Sequence, residues 1–349
     1  MIDTSQLTIQ DLVIHHVGSK TQGEQVRFSK KPVALEVDDP VADFLIQYFF
    51  KPFKVEAYYN FTEGENGEQN KMFDLATRIF EDPAAFYDVS LETANFLYES
   101  SNHPSIKAGE FYMAFFKDVV VDGEVVDALG IFKSENKETF LKVYLKDQNF
   151  EIGAQDGINI KKLDKGCLIF NTEKEAGYKI CSVDNINKGN DAKFWMNDFL
   201  RLKPREDNYY FTNNYLDLCK SFVGEVFNEE HEVPRTEQID MLNRSMDFFS
   251  KNENFNEQRF ENEVIMDPEV VDAFRDYKTF FEEEKSVPLQ AEFDISKSAV
   301  KQEKKHFKSV LKLDKNFHVY IHGKRQYIEQ GYDQAKGLKY YKLYYEVES

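Results

Sequence analysis

Cysteine is scarce in this 349-residue chain: Cys167, Cys181 and Cys219 are the only three. The count is odd and no CxxC occurs, which excludes a disulfide-stapled scaffold. No P-loop, GxGxxG, GxSxG or kinase signature is present, so the familiar nucleotide-binding and nucleophile-elbow chemistries are not encoded. No HExxH occurs, nor HxxxH on a helix, so a helix-borne zinc site is missing as well. No stretch reaches 18 apolar residues, so no membrane span is expected. The segment Met1–Gln10 has neither a basic n-region nor an apolar core, and a signal peptide is not expected there. These absences predict a cytoplasmic chain with no cofactor, no metal and no catalytic residues that a motif would reveal.

What the chain has in abundance is aromatic residues. They make up 15%, with 32 Phe and 19 Tyr, and apolar residues reach 42%. Such a composition argues against general disorder and supplies large buried areas at low entropic cost. It is also compatible with a homodimer, because periodicity does not separate a core face from an interface face. The length allows two or three domains with real cores.

Charge is unevenly placed. Overall the chain carries −18, which should repel a polyanion in bulk. Glu225–Asp294 holds 20 Asp/Glu against 7 Lys/Arg, whereas Lys297 to the C-terminus holds 12 Lys/Arg against 6 Asp/Glu. A nucleic-acid reading must therefore rest on that tail or on a local patch. The bland alternative is ordinary solvation of two adjacent segments.

Periodicity predicts an α+β fold in three stretches: a mixed region with an antiparallel meander over 1–189, an acidic helical region over 190–295, and a basic helix with a small β-unit over 296–349. Leu7–Val17 reads as a strand with Val26–Leu35 as its partner. Asp38-Asp39-Pro40 reads as a helix start, with Val41, Phe44, Leu45, Tyr48 and Phe49 on one face. Met72–Phe80 and Ala84–Tyr98 are helical. Short β-branched and aromatic runs follow, with Asp122-Gly123 as a hairpin turn, and they predict a meander of five or six strands. No βα crossover pattern appears, which disfavours a Rossmann fold. Helices are expected over Thr212–Glu229, Arg235–Phe249 and Asp267–Glu284. The tail offers strands at Ser309–Leu313, Phe317–His322 and Leu338–Val347, a unit too small to fold alone, so it should pack on the helices or on a second subunit.

Candidate chemistry is thin. His15-His16 on a strand point to opposite faces and do not share a metal. His318 and His322 share a strand face but sit about 13 Å apart, too far for one ion. The thiols read as buried. A metal-dependent nuclease would place Asp127, Glu135 and Lys137 on one sheet face, two acids on a divalent ion and the lysine on a phosphate oxygen; yet Glu135 and Lys137 fall in a turn where solvated polar residues are expected. The stronger signal is basic. Lys297, Lys301, Lys304, Lys305 and Lys308 recur at spacings of mostly three and four, which on a helix from Ser296 to Lys308 gives a positive face suited to phosphate contacts. Lys324-Arg325 at a turn, with Tyr327 nearby, would add a phosphate and a sugar or base contact. Nothing suggests base-specific readout.

Several strings are similar to those of the bacterial 37-kDa nucleoid-associated protein family: Asp127-Ala-Leu-Gly-Ile-Phe-Lys133 through Phe140-Leu-Lys-Val143, Gly157-Ile-Asn-Ile160 with Leu163, Gly166-Cys-Leu-Ile-Phe-Asn171, and Tyr178-Lys-Ile-Cys-Ser-Val-Asp184. Ala192-Lys-Phe-Trp-Met-Asn-Asp-Phe-Leu200 and Leu311-Lys-Leu-Asp-Lys-Asn-Phe317 extend the resemblance to nearly the full chain, most weakly over the first hundred residues. It implies association with the bacterial chromosome, a nucleoid location, double-stranded DNA or other nucleoid proteins as partners, and no known enzymatic chemistry. Three readings follow: a weak, non-specific DNA binder or one recruited by a chromosome-associated partner; a nucleic-acid enzyme; and a protein-binding adaptor whose tail cations are spent on Glu225–Glu284.

Overall fold

The computed structural model describes residues 2–35, 40–53, 57–63, 67–104, 106–186, 194–228, 231, 233–305, 307, 310–314, 316–320 and 327–347. Asp38 and Asp39, His306, Lys308, His322, Lys324 and Arg325 lie outside these. The chain falls into two compact units, residues 1–205 and 206–349.

The first unit is organised by long hydrophobic strands. Strands β1 (Ile2–Asp3), β2 (Thr8–Val17), β3 (Tyr59–Phe61), β4 (Gly109–Val121) and β5 (Glu124–Ser134) come first in the chain. Then follow β6 (Glu138–Lys146), β7 (Asn149–Gly157), β8 (Lys165–Phe170), β9 (Lys179–Asp184) and β10 (Leu202–Pro204). All except β6 and β7 form one eight-stranded antiparallel sheet in the order β1-β4-β5-β8-β9-β3-β10, with β2 also paired to β4. Successive residues of β4 and β8 are apolar because both faces are covered. Phe111, Met113, Phe115, Ile131 and Ile169 face a core shared with helices α2 (Lys71–Glu81) and α3 (Phe86–Ser100). Tyr112, Phe116, Phe132, Leu168 and Phe170 face a second core closed by α1 (Pro40–Phe50). Asn70 caps α2 by accepting from Met72 and Phe73 N–H, and its amide donates to the carbonyls of Thr62, Leu200 and Arg201.

Two strand expectations need correction. β2 pairs with β4 over Thr8–Val17; Val26–Leu35 meets it at the His16–Arg27 bridge, through Val33 N–H to the Leu12 carbonyl, and through Ser29, whose N–H donates to His15 Nδ1 and whose hydroxyl donates to the Ile14 carbonyl, without forming a continuous ladder. β4 is longer and offers a buried ladder, so it outcompetes the nearer segment. The expected meander is also interrupted. The Asp122-Gly123 turn joins β4 to β5 as expected, but β6 and β7 leave the sheet as a separate ribbon and β5 pairs with β8 instead.

The His15-His16 pair behaves as alternation requires. His15 is 2% exposed and His16 is half-buried. The His15 Nδ1 accepts from Ser29 N–H at 3.1 Å, so Nε2 carries the proton and donates to Ser90 Oγ at 3.0 Å. Burial holds its pKa down at about 4, against an ordinary 6.5. The unfolded chain therefore gains the proton first as pH falls. Stability is expected to be intact above pH 6.5 and to drop by up to about 3 kcal/mol on the way to pH 4. Urea titrations across that window check this: the acid slope should flatten in His15→Gln, and an equal slope in both proteins would refute it.

The second unit packs α4 (Asn208–Glu225), α5 (Arg235–Lys251), α6 (Glu257–Phe260), α7 (Pro268–Lys285) and α8 (Lys297–Glu303) around an aromatic core. Tyr215, Phe249, Phe255, Phe260 and Phe293 form its centre, with the short pair β11 (Asn254–Asn256) and β12 (Glu292–Asp294) carrying two of the rings. Asn254–Phe260, irregular by sequence, is thus one strand and one helical turn. The tail makes two hairpins, β13 (Val310–Leu313) with β14 (Phe317–Tyr320), and β15 (Ile328–Asp333) with β16 (Leu338–Leu343). Leu313, Val319, Ile328 and Tyr341 pack on Ile239 of α5, so the small β-unit rests on the helices as its size requires.

Candidate nucleic-acid interface and a buried ionic cluster

α8 is shorter than the basic periodicity suggests. Ser296 Oγ caps it by accepting from Ala299 N–H, and Ala299, Val300 and Glu303 turn inward. Glu303 is held by Lys220 at 2.9 Å, and the helix stops there rather than reaching Lys308. The five-lysine face is therefore broken. Lys297 is spent: its Nζ donates to the carbonyls of Ser250 and Asn252, the free acceptors at the C-terminal end of α5. Lys301, on the last turn, and Lys304 and Lys305, just beyond it, are exposed and make no ion pair with a described residue.

The described residues of the acidic segment do not consume them. Within it Asp240 pairs with Arg244, Asp247 with Lys251, Glu257 with Lys278, Glu261 with Arg275 and Glu263 with Arg259. In the hairpins Lys342 pairs with Glu329 at 2.9 Å and Lys336 with Asp333 at 3.9 Å. Lys339 of β16 is exposed and lines a cleft of about 530 Å³ with Arg235, Tyr332 and Tyr340. Sequence reasoning missed Lys339 and Arg235 because they are a hundred residues apart; only the docking of β15 and β16 beside the start of α5 brings them together.

The nuclease constellation does not assemble. Asp127 accepts from Lys117 at 2.6 Å, Lys137 pairs with Glu110 at 2.7 Å, and Glu135 is turned into the protein. Asp127 on β5 and Glu135, one residue past its end, are eight residues apart, roughly 26 Å of extended chain, too far to share an ion. Among the described residues no group of three or more His, Cys, Asp or Glu could hold a metal. All three thiols are buried; burial pushes Cys181 and Cys219 up to about 12 and Cys167 well above its ordinary value, the opposite of an activated nucleophile.

Glu135, read from the sequence as a solvated turn residue, belongs to an ionic cluster at the ends of β5, β8 and β9. Lys133 and Lys165 are register partners, as are Lys165 and Asp184. Both lysines are completely buried. Lys133 Nζ donates to Glu135 Oε1 at 2.9 Å and to the Lys107 carbonyl at 2.6 Å; Lys165 Nζ donates to Asp184 at 2.9 Å and lies 4.0 Å from Glu135. Asp164 accepts the backbone N–H groups of Glu135 and Asn136 at 2.6 and 2.9 Å and so fixes the loop that carries Glu135. Burial pulls the Lys133 amine below the ordinary lysine value, with the Glu135 carboxylate opposing that pull. The cluster has one available signal in the sequence, a lysine inside each of two strings that otherwise read as fully buried strands.

The sheet buried on both faces, the helical second unit and the basic hairpin tail are accompanied by a family match that spans most of the chain. A family model described as nucleoid-associated protein YejK matches residues 13–337. The chain belongs to this family. No curated protein matches the sequence. Membership in the YejK family agrees with the resemblance read from the central strings, and it covers both units. Among the described residues no helix is long and apolar enough to cross a membrane.

Proposed function

We propose that this YejK-family chain is a non-enzymatic nucleoid-associated protein that meets double-stranded DNA weakly and without sequence preference, in the bacterial cytoplasm, through the cations around the end of α8. One observation carries the reading: Lys301, Lys304 and Lys305 stay exposed and unpaired among the described residues, although an acidic segment precedes them. Three adjacent free ammonium groups suit phosphate contact, which positions a protein without reading bases. Lys308, Lys324 and Arg325 complete the proposed contact set, with Lys339 and Arg235 beside their tyrosine-lined cleft as a second cationic patch. Lys297 leaves the set, since it serves the end of α5.

A net charge of −18 favours a second reading, recruitment through a chromosome-associated protein partner. Salt-titrated binding to duplex DNA separates the two. Removing one cation that neutralises a phosphate lowers the slope of log K against log salt by about 0.9. Lys301→Gln/Lys304→Gln/Lys305→Gln should therefore lower it by up to about three on every sequence alike. Lys297→Gln should leave the slope unchanged. A triple variant with the wild-type slope overturns the assignment, and no binding by the wild-type chain at low salt transfers the function to the partner.

A further inference from the structure

β6 and β7 form a two-stranded ribbon that belongs to neither core of its unit. Its two faces are chemically distinct because strand side chains alternate. One face carries Lys142, Tyr144, Lys146 and Glu151; there Phe140 lies over Gly157 and Tyr144 over Gly153, each in van der Waals contact with the position a Cβ would take. The other face is a ladder of three apolar register pairs, Leu141–Ala154, Val143–Ile152 and Leu145–Phe150. The five larger side chains are 61–79% exposed, and Ala154 is exposed as well. A lone two-stranded hairpin is marginal in water, and this one turns three apolar register pairs outward, bounded on the same face by Thr139–Asp156.

We propose that this face pairs with the same face of a second copy of the chain, about a two-fold axis that runs across the strands at the Val143–Ile152 pair. Three observations select that occupant. The ladder is graded in size, from Leu141–Ala154 at one end to Leu145–Phe150 at the other. A two-fold across its centre sets the bulky end of one copy over the slim end of the other, so the two faces interlock at even thickness. The six residues carry no charge, and the carboxylate that shares their face, Asp156, stands at its edge and accepts from Thr139 Oγ1 at 2.7 Å; two chains of −18 can therefore meet over the ladder with no carboxylate inside the six-residue patch, whereas a nucleic acid finds no cation on that face. The face presents on the order of 600 Å², and only a partner contributing a matching area reaches the roughly 1,200 Å² of a specific interface. The result is a small four-stranded sandwich in which each ribbon covers the other. Such a dimer would carry two copies of every cationic patch.

Sedimentation velocity on the full chain tests this. Wild type is expected at twice the 41.0 kDa chain mass. The axis brings residue 143 of one copy beside residue 143 of the other. Val143→Glu and Val143→Lys should therefore each weaken self-association at least about a hundredfold, like charge against like charge, and an equimolar mixture should re-form a dimer. The ribbon lies outside both cores, so the emission of the single tryptophan, Trp195, should match wild type in both variants. A wild-type monomer at about 100 µM overturns the proposal, as does a dimer that both variants retain or a mixture that stays monomeric. Flotation of a monomeric wild-type chain with anionic lipid vesicles would also overturn it and assign the face to a membrane surface.

Discussion

Glu135→Ala is expected to destabilise the first unit by about 3–5 kcal/mol, the cost of leaving a buried charge without its partner. Lys133 and Lys165 face each other across paired strands with no access to water. Glu135 is the carboxylate within reach of both, while Asp184 serves Lys165. Without Glu135, Lys133 keeps only the Lys107 carbonyl and confronts a second ammonium group. Two further results separate this cause from a packing defect. Lys133→Met/Glu135→Leu removes the charge together with its counter-ion and should cost less than Glu135→Ala alone, since a buried pair replaced by apolar groups of similar volume is close to neutral. The pH dependence has a defined sign too. Lys133 sits below its ordinary pKa in the folded chain, so the unfolded chain binds more protons in the alkaline range and stability rises with pH there. That rise should be steeper in Glu135→Ala. Trp195 is fully buried in this unit and donates to Ser182 Oγ at 3.2 Å, so its fluorescence reports unfolding of this unit in urea. A loss below about 1 kcal/mol would show that Glu135 does not compensate the lysines.

The cluster marks where sequence reading stops. Helices were legible because their signals are local: Arg235–Lys251 and Pro268–Lys285 start and end within two residues of the positions their periodicity and the proline at the first turn suggest. Strand identity was legible for the same reason in β4, β5, β8 and β9. Partnership was not. β2 read as the partner of Val26–Leu35 and the β6–β7 ribbon as part of a sequential meander, yet β2 reaches across a hundred residues to β4, and the ribbon detaches. Strand pairing is decided by which ladder buries more, a comparison over the whole unit rather than within a window. Burial of charge follows the same logic: Glu135 in a polar Ser-Glu-Asn-Lys turn looks solvated until the ends of three strands converge on it. The basic tail was legible as a charge excess, but whether a given lysine is free depends on neighbours such as the end of α5, which claims Lys297. The apolar ladder on the ribbon was hidden in plain alternation, because a strand pattern does not say whether its apolar face looks at a core or at solvent.

The same convergence makes one glycine indispensable. Gly109→Ala is expected to cost at least about 3 kcal/mol, at the upper end of the cost of forcing atoms into a packed interior. Gly109 opens β4, where it pairs with Val17 while the next residue pairs with Ser134. A Cβ at position 109 would lie 2.0 Å from the Ser134 carbonyl oxygen and 2.9 Å from its carbon. Both are backbone atoms of the neighbouring strand, so no side-chain rotation relieves the overlap, and trimming Ser134 to Ala should not rescue it. The strands must separate at the point where Lys107 presents its carbonyl to Lys133 and where Ser134 leads into Glu135. Overpacking and loss of a charge-bearing hydrogen bond therefore add at one place, and the damage should reach the ionic cluster as well as the sheet. Gly224→Ala supplies the contrast. That residue is exposed near the end of α4 with open space where the Cβ would go, and the substitution should stabilise by up to about 1 kcal/mol through helix propensity. Urea unfolding followed at Trp195 should shift for Gly109→Ala. For Gly224→Ala the far-ultraviolet circular dichroism of the helical unit should shift upward instead. A Gly109→Ala protein with wild-type stability would mean that β4 and β5 do not approach so closely at this end of the sheet.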